Sequence, residues 1–114
     1  MSALLKPYAA TKLISALKNE VSVPIHLHTH DTTGNGVATI INACESGVDI
    51  VDTCFNSMSS LTSHPALNSV VAALENTQRQ TGISLSNCDK ISNYYKDVRS
   101  YYSQFESDLK SGTT

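Results

Sequence analysis

The chain has 114 residues, about the size of one small domain, and its 40% hydrophobic content is enough for a folded core. Its 8 Lys and Arg against 10 Asp and Glu give a formal net charge of -2 without a long run of either sign, which argues against a nucleic-acid or anionic-membrane surface. No apolar stretch reaches the roughly 20 residues of a membrane span, and no secretory leader is recognisable. We therefore expect a soluble, cytoplasmic protein with small-molecule or protein partners.

The first half of the chain alternates helical and extended patterns. Pro7 suits a first helical turn, and apolar residues at helical spacing predict an amphipathic helix over residues 7–19. Residues 23–28 favour a strand because of their β-branched side chains. A second helix is predicted over residues 37–44, and Gly47 is placed to end it in a left-handed cap.

A second strand is predicted at residues 48–52, and Pro65 is expected to open a third helix. Short strands alternating with helices indicate β/α units with a parallel sheet, and two such strands do not make an independent sheet. A capping pattern at Ser86 and Asp89 predicts the start of a last, aromatic-rich helix typical of an interface. The predicted fold class is α/β.

The cysteines do not predict a disulfide framework. Cys44, Cys54 and Cys88 are too few and too irregularly spaced for one, or for a CxxC zinc site. Cys44 falls on the apolar face of the second helix, so we interpret it as a core residue.

Three histidines alternate where the first predicted strand ends. Because strand side chains alternate between faces, His26, His28 and His30 tend to project on one side and can aim two imidazoles at one ion. Hydrogen-bonded histidines without an ion are the common alternative for such a spacing. The position at the C-terminal end of a strand, where β/α barrels carry catalytic groups, favours a metal site. Two protein ligands rarely complete one, so others must come from elsewhere.

Five segments together resemble the carboxyltransferase domains of pyruvate carboxylases. The metal-binding strand and loop of that family is similar to residues 26–34, and the next strand and loop to residues 47–52 and 57–63. Residues 4–10 and 101–112 are also similar. The resemblance implies a fragment of a (β/α)8 TIM barrel of the HMG-CoA lyase-like, DRE-TIM metallolyase type, with about two β/α units.

The resemblance implies a division of the chain and an activity. Residues 1–83 would be part of the barrel, and residues 84–114 a helical segment that begins the region after it. The complete enzyme would transfer a carboxyl group from carboxybiotin to pyruvate, forming oxaloacetate. It would need a divalent metal ion (Zn, Mn or Co), biotin on another domain and ATP at a separate domain. Its partners would be the rest of the barrel, the biotin carboxyl carrier domain and further copies in a homo-oligomer.

By the same resemblance, the metal ligands are His28 and His30, while His26 lies one step further into the strand and is packed or hydrogen-bonded. The family also uses an aspartate from the first barrel strand and a carboxylated lysine, neither of which is in this chain. Lys6 matches a different lysine of the family and is a solvated charge. The chain alone is therefore expected to be inactive, with no catalytic residue assigned within it.

Asp31 has two interpretations: it hydrogen-bonds a ligating histidine as a second-shell residue, or it caps the following helix. Ser57, Ser59 and Thr62 either line the substrate or biotin entrance or act as caps. Alternatives for the whole chain are a piece of an oxaloacetate decarboxylase alpha subunit or of a transcarboxylase, a noncatalytic truncated product, and a small autonomous metal-binding module.

The chain departs from the family pattern at two positions. Ser60 stands where the family usually has glycine, and His64 stands where it usually has glutamine. If the glycine serves a positive φ, Ser60 strains the loop.

Overall fold

The structure is a computed structural model that describes residues 3–112. In chain order its main elements are α1 (Pro7–Glu20), β1 (His26–Leu27), α2 (Gly36–Glu45), β2 (Ile50–Val51), α3 (Leu67–Leu74) and α4 (Leu85–Tyr101). Short 3-10 helices, Asn56–Met58 and Ser103–Phe105, follow β2 and α4. Within the described residues, none of the helices is long and apolar enough to cross a bilayer.

The two strands pair in parallel, as the alternation of elements predicts. His26 lies beside Ile50 and Leu27 beside Val51. Both strands are shorter than predicted, with only two residues each. Pro24 lacks an N–H to donate to a neighbouring strand, which is consistent with the late start of β1.

Helices α1 and α2 pack against each other and form most of the core. The predicted bounds of α1 are confirmed to within one residue at its end. Gly47 follows α2 with a φ of +94°, so the predicted left-handed ending is confirmed. Cys44 is buried, as expected of a core residue. The buried apolar side chains of the core are Ala10, Ile14, Ile40, Ala43, Cys44, Val48, Val70 and Leu74.

The last two helices begin elsewhere than predicted. Pro65 does not open α3; it is buried two residues before the helix, where the Cys54 N–H donates to its carbonyl. The prediction of a cap at Ser86 is wrong, because α4 is capped by Ser84, whose hydroxyl accepts from the Asn87 N–H. Ser84 is the last extended residue before the helix, whereas Ser86 already lies within its first turn.

Helix α4 buries little of its surface. Cys88 and Ser92 are its buried residues, and the aromatic side chains toward its end are largely exposed. Its predicted face continues past Tyr101 only as the 3-10 turn Ser103–Phe105.

Candidate metal centre

The C-terminal ends of β1 and β2 carry the polar side chains of the site. The parallel register pairs Leu27 with Val51, so the next residues along the two strands, His28 and Asp52, emerge at one edge. The Asp52 carboxylate lies 2.8 Å from His26 Nε2 through Oδ1 and 2.6 Å from His28 Nδ1 through Oδ2. The hydrogen bond from His28, followed by that from His26, holds the pKa of the Asp52 carboxyl below its ordinary value.

The hydrogen bonds of the two rings also determine which nitrogens face an ion. His30 Nδ1 lies 2.8 Å from the Thr62 carbonyl oxygen. Carboxylate and carbonyl oxygens only accept, so Nδ1 of both His28 and His30 carries a proton and, in the neutral rings, the Nε2 lone pair remains for a metal ion. His26 uses its Nε2 to donate to Asp52 and therefore cannot present the same nitrogen. This donor chemistry fits a divalent ion at His28 and His30.

The loop after β2 turns back toward the end of β1. Ser60 and Leu61 have φ values of +73° and +52°, so the positive φ inferred from the usual glycine is present at Ser60. The Ser60 N–H donates to the His64 carbonyl at 2.8 Å, and the Asp31 N–H donates to the Ser63 carbonyl at 2.9 Å. These backbone bonds join the two loops and bring His64 to the histidines of β1.

His64 is a site residue that the sequence analysis did not assign. Its ring centroid lies 4.8 Å from that of His28 in an edge-on arrangement and 4.9 Å from that of His30 in a stacked one. Burial, followed by the neighbouring charges of His28 and His30, lowers the pKa of His64 and so favours its neutral form. Within residues 3–112, these three histidines form a group whose ligand atoms all lie within 4.8 Å of one another.

Asp31 lies in the loop that follows β1, here called the first loop, close to the start of α2. Its side chain is buried, and its Oδ1 accepts from the Gly36 N–H at 2.7 Å. A Cβ on Gly36 would meet that oxygen at 2.6 Å and Pro65 Cγ at 2.6 Å, so the close approach requires glycine. The bond from the Gly36 N–H agrees with the interpretation of Asp31 as a cap of α2. The Asp31 N–H, which donates to the Ser63 carbonyl, links the two loops.

The three hydroxyl residues of the second loop occupy different places. Ser59 donates through Oγ to the Asn56 carbonyl, and Thr62 is exposed while its carbonyl binds His30. Both line a surface pocket of about 390 Å³ between this loop and the segment after α4. Ser57 lies outside that pocket, with its Oγ buried and without a hydrogen-bond partner among the described residues.

Arg99 of α4 closes the far side of this pocket. Its guanidinium donates to the Ser57 carbonyl at 2.7 Å and pairs with the Glu106 carboxylate. The hydrogen bond to Glu106 is the main cause that raises the pKa of Arg99 and lowers that of Glu106. The ion pair therefore fixes the end of α4 against the second loop.

Asp52 could have been found from the sequence, whereas His64 could not. Asp52 ends the second predicted strand as His28 ends the first, and parallel strands place these ends at one edge. The position of His64 depends on two left-handed residues and on backbone bonds between loops, which no local pattern indicates.

Comparison with known proteins identifies the family. The sequence model of the HMGL-like family matches residues 3–94. The chain is 51% identical over 114 residues to the pyruvate carboxylase of Staphylococcus aureus and 46% identical to that of Bacillus subtilis. It is covered completely in both comparisons but spans only 10% of the length of these relatives.

Solved structures agree with the sequence comparison. The carboxyltransferase domain of Rhizobium etli pyruvate carboxylase, solved with pyruvate, superimposes with a TM-score of 0.97 at 45% identity. The match covers 100% of this chain and 19% of that domain chain. The predicted fold class is thereby confirmed as an α/β portion of the carboxyltransferase TIM barrel. The chain belongs to the HMGL-like family and is similar over its whole length to the carboxyltransferase domains of pyruvate carboxylases.

Proposed function

We propose that this chain forms part of a carboxyltransferase centre, which transfers a carboxyl group from carboxybiotin to pyruvate and so forms oxaloacetate. In this proposal, His28 and His30 hold the divalent metal ion of the centre. The observation that carries it is the pair of Nδ1 hydrogen bonds, from His28 to Asp52 and from His30 to the Thr62 carbonyl. They orient both rings so that Nε2 remains for the ion.

The groups that are hydrogen-bonded to the rings of His28 and His30 hold these rings in position for the ion. Asp52 fixes the tautomer and plane of His28 through this hydrogen bond. The Thr62 carbonyl does the same for His30 without a formal charge. A bound divalent ion would supply Lewis-acid stabilisation of the oxygen on which negative charge develops. Imidazole suits zinc, manganese and cobalt, so the donor set alone does not select among them.

His26 and Asp31 support the site from either side of the ligands. His26 shares the Asp52 carboxylate with His28 and thereby holds the second oxygen in place. Asp31 connects the first loop to α2 and to Ser63. In the proposal both residues position the ligands and neither takes part in proton transfer.

The second loop borders the path to the metal. Ser59 and Thr62 line the 390 Å³ pocket beside it, and Thr62 is also bonded to a proposed ligand through its carbonyl. We assign this pocket to the entrance for pyruvate or the biotin group. Ser57 belongs to the same loop, but it does not line the pocket and its hydroxyl is buried.

The remaining parts of the centre come from outside these residues. Within the described range, the sheet has two strands, so each strand has one unpaired edge. We propose that further strands of a (β/α)8 barrel cover these edges and supply the other metal ligands. In this arrangement residues 1–83 belong to the barrel and residues 84–114 begin the region after it. The proposed partners are a biotin carboxyl carrier domain, an ATP-using domain and other copies in a homo-oligomer.

The pyruvate carboxylase assignment is favoured over a decarboxylase subunit or a transcarboxylase. The relatives at 51% and 46% identity are both named pyruvate carboxylase. The matched structures include one with pyruvate and one with oxamate and biotin. These are properties of those proteins, and they support pyruvate and biotin as the reactants here.

The proposal is tested by replacing the matching segment of complete Rhizobium etli pyruvate carboxylase with this chain. We expect the hybrid to form oxaloacetate from pyruvate, measured by coupling to malate dehydrogenase. His28→Ala and His30→Ala should each lower this rate by about a hundredfold, because a Lewis-acid metal contributes several kcal/mol.

The matched control in the hybrid is His26→Ala, which removes an imidazole from the same strand without removing a proposed ligand. Bicarbonate-dependent ATP cleavage, performed by another domain, should persist in all variants and show that the enzyme is folded. The proposal is refuted if the His28 and His30 variants keep both the metal and oxaloacetate formation.

A further inference from the structure

A third imidazole faces the proposed metal ligands. His64 comes from a different loop than His28 and His30, yet its ring contacts both of theirs, at 4.8 Å and 4.9 Å between centroids. The ligand atoms of the three rings lie within 4.8 Å of one another. His26, the fourth histidine of the chain, is not part of this group.

The backbone holds His64 at this place. The Ser60 N–H donates to the His64 carbonyl at 2.8 Å, and the Ser63 N–H donates to the Ser60 carbonyl at 2.9 Å. The turn formed by these bonds is joined to the first loop through the Asp31 N–H and the Ser63 carbonyl. This short turn, held by two backbone hydrogen bonds, therefore limits how far the His64 ring can move from the rings of His28 and His30.

The spacing of the three rings is close to that of ligands around one ion. Ligand nitrogens about 2.1 Å from zinc lie about 3.4 Å from one another in ideal tetrahedral geometry. The upper bound of 4.8 Å exceeds this by an amount that modest rotation of partly exposed rings can close. Aromatic packing allows both the stacked contact with His30 and the edge-on contact with His28, so metal binding is what distinguishes ligation from packing.

We infer that His64 is a third imidazole ligand of the divalent ion held by His28 and His30. The inference rests on the proposed function for the metal and extends it to a residue from the second loop. Imidazole nitrogen favours zinc or cobalt over manganese, so a third imidazole from His64 would strengthen that preference. The same contact ties the second loop, which lines the pocket, to the occupied metal site.

The direct test is zinc-edge X-ray absorption of the zinc-loaded hybrid enzyme, which contains the rest of the barrel, because this method counts the imidazoles bound to the ion. We expect three bound imidazoles in the hybrid and two in its His64→Gln variant. Two bound imidazoles in both would overturn this inference and leave the proposed function standing. The absence of any bound imidazole would overturn both.

A variant series gives an independent readout. His64→Gln retains a polar side chain of similar length, and we expect zinc to bind about tenfold more weakly, measured by competition with a chromophoric chelator. Manganese affinity should change less, so the ratio of zinc to manganese affinity should fall. The control Asp49→Asn, before β2 and so at the opposite end of the sheet, should leave that ratio unchanged. An unaltered ratio in His64→Gln, with weaker zinc binding in His28→Gln, would show that His64 only packs against the ligands.

Discussion

Two aspartates three residues apart, at opposite ends of β2, serve opposite purposes. Asp49, before the strand, accepts from the Ile25 N–H at 2.7 Å and pairs with Lys18 of α1 at 2.9 Å. Asp52, after the strand, accepts instead from two histidine rings. The first aspartate joins backbone and helix at the amino end of the sheet, and the second orients candidate metal ligands at the carboxyl end.

The polar groups at the two ends of this β/α unit have different kinds of partner. At the amino end, the polar groups bind structural partners of the chain itself. At the carboxyl end, loops with left-handed residues converge and leave imidazole nitrogens for a ligand. This is the distribution expected in β/α barrels, where the carboxyl ends of the strands bear the chemistry and the opposite face bears stability.

The largest loss of stability should come from a substitution in the hydrophobic core, on which both ends of the sheet depend. Ile40 is fully buried in α2, and Ile40→Ala should lower the free energy of unfolding by about 2–5 kcal/mol. Leu13→Ala on the outer side of α1, where Leu13 is 45% exposed, should cost less than about 1 kcal/mol. Urea unfolding of the two variants measures the difference. Equal losses would contradict the assignment of the core.

The carboxyl end alone should be disturbed by Asp52→Asn. The substitution removes the charge shared by His26 and His28, and metal affinity should fall by about 10–100-fold, the usual range for partners of metal ligands. Asp49→Asn is the matched control and should leave the affinity unchanged. Calorimetric titration with zinc measures both. An unaffected Asp52→Asn variant would show that the carboxylate does not orient a ligand.

Ser60→Gly should relieve backbone strain in the loop that follows β2. Ser60 has a φ of +73°, which disfavours a side chain, so the variant should gain up to about 1 kcal/mol of stability. Ser59→Gly, at a φ of -89°, should instead lose about 1 kcal/mol, because it frees the unfolded chain and removes the Oγ hydrogen bond to the Asn56 carbonyl. Thermal unfolding of both variants compares the neighbouring positions. A loss of stability in Ser60→Gly would contradict the proposed strain.

The smallest effect should come from Asp49 at the amino end of the sheet, as a change in how stability depends on pH. The Ile25 N–H, followed by Lys18, lowers the pKa of the Asp49 carboxyl below its ordinary value of 3.8. Ionised Asp49 therefore stabilises the fold at pH values above 3.8, and this stabilisation is lost as the pH falls through the lowered pKa. Asp49→Asn should show a shallower loss of stability in acid, measured by urea unfolding from pH 6 to about pH 3. Superimposable curves would contradict the assignment.

The sequence predicted the helical framework more fully than the site. Periodic apolar residues determine α1, and Gly47 marks the end of α2 because glycine readily adopts the positive φ seen there. The strands were overestimated because β-branched residues favour extended backbone without requiring a hydrogen-bonded partner. The cap of α4 was misplaced because Ser84 and Ser86 lie close together, and the hydroxyl at the last extended residue is the one that caps.

For the site, the histidines of the first strand were predicted from their spacing and position, and by resemblance His28 and His30 as ligands. The groups that contact these two rings were not predicted. The Thr62 carbonyl carries no side-chain signal, and His64 is brought to the rings by the fold of the second loop. Residues whose roles follow from strand order can be read from a sequence. Residues whose roles follow from contacts between loops require the structure.

The most direct test of the proposed metal centre is anomalous diffraction at the zinc edge from crystals of the zinc-loaded hybrid enzyme. We expect one strong peak within bonding distance of Nε2 of both His28 and His30, with their Nδ1 atoms still hydrogen-bonded to Asp52 and to the Thr62 carbonyl. A peak next to Nδ1 of these rings, or centred on His26, would contradict the proposed coordination.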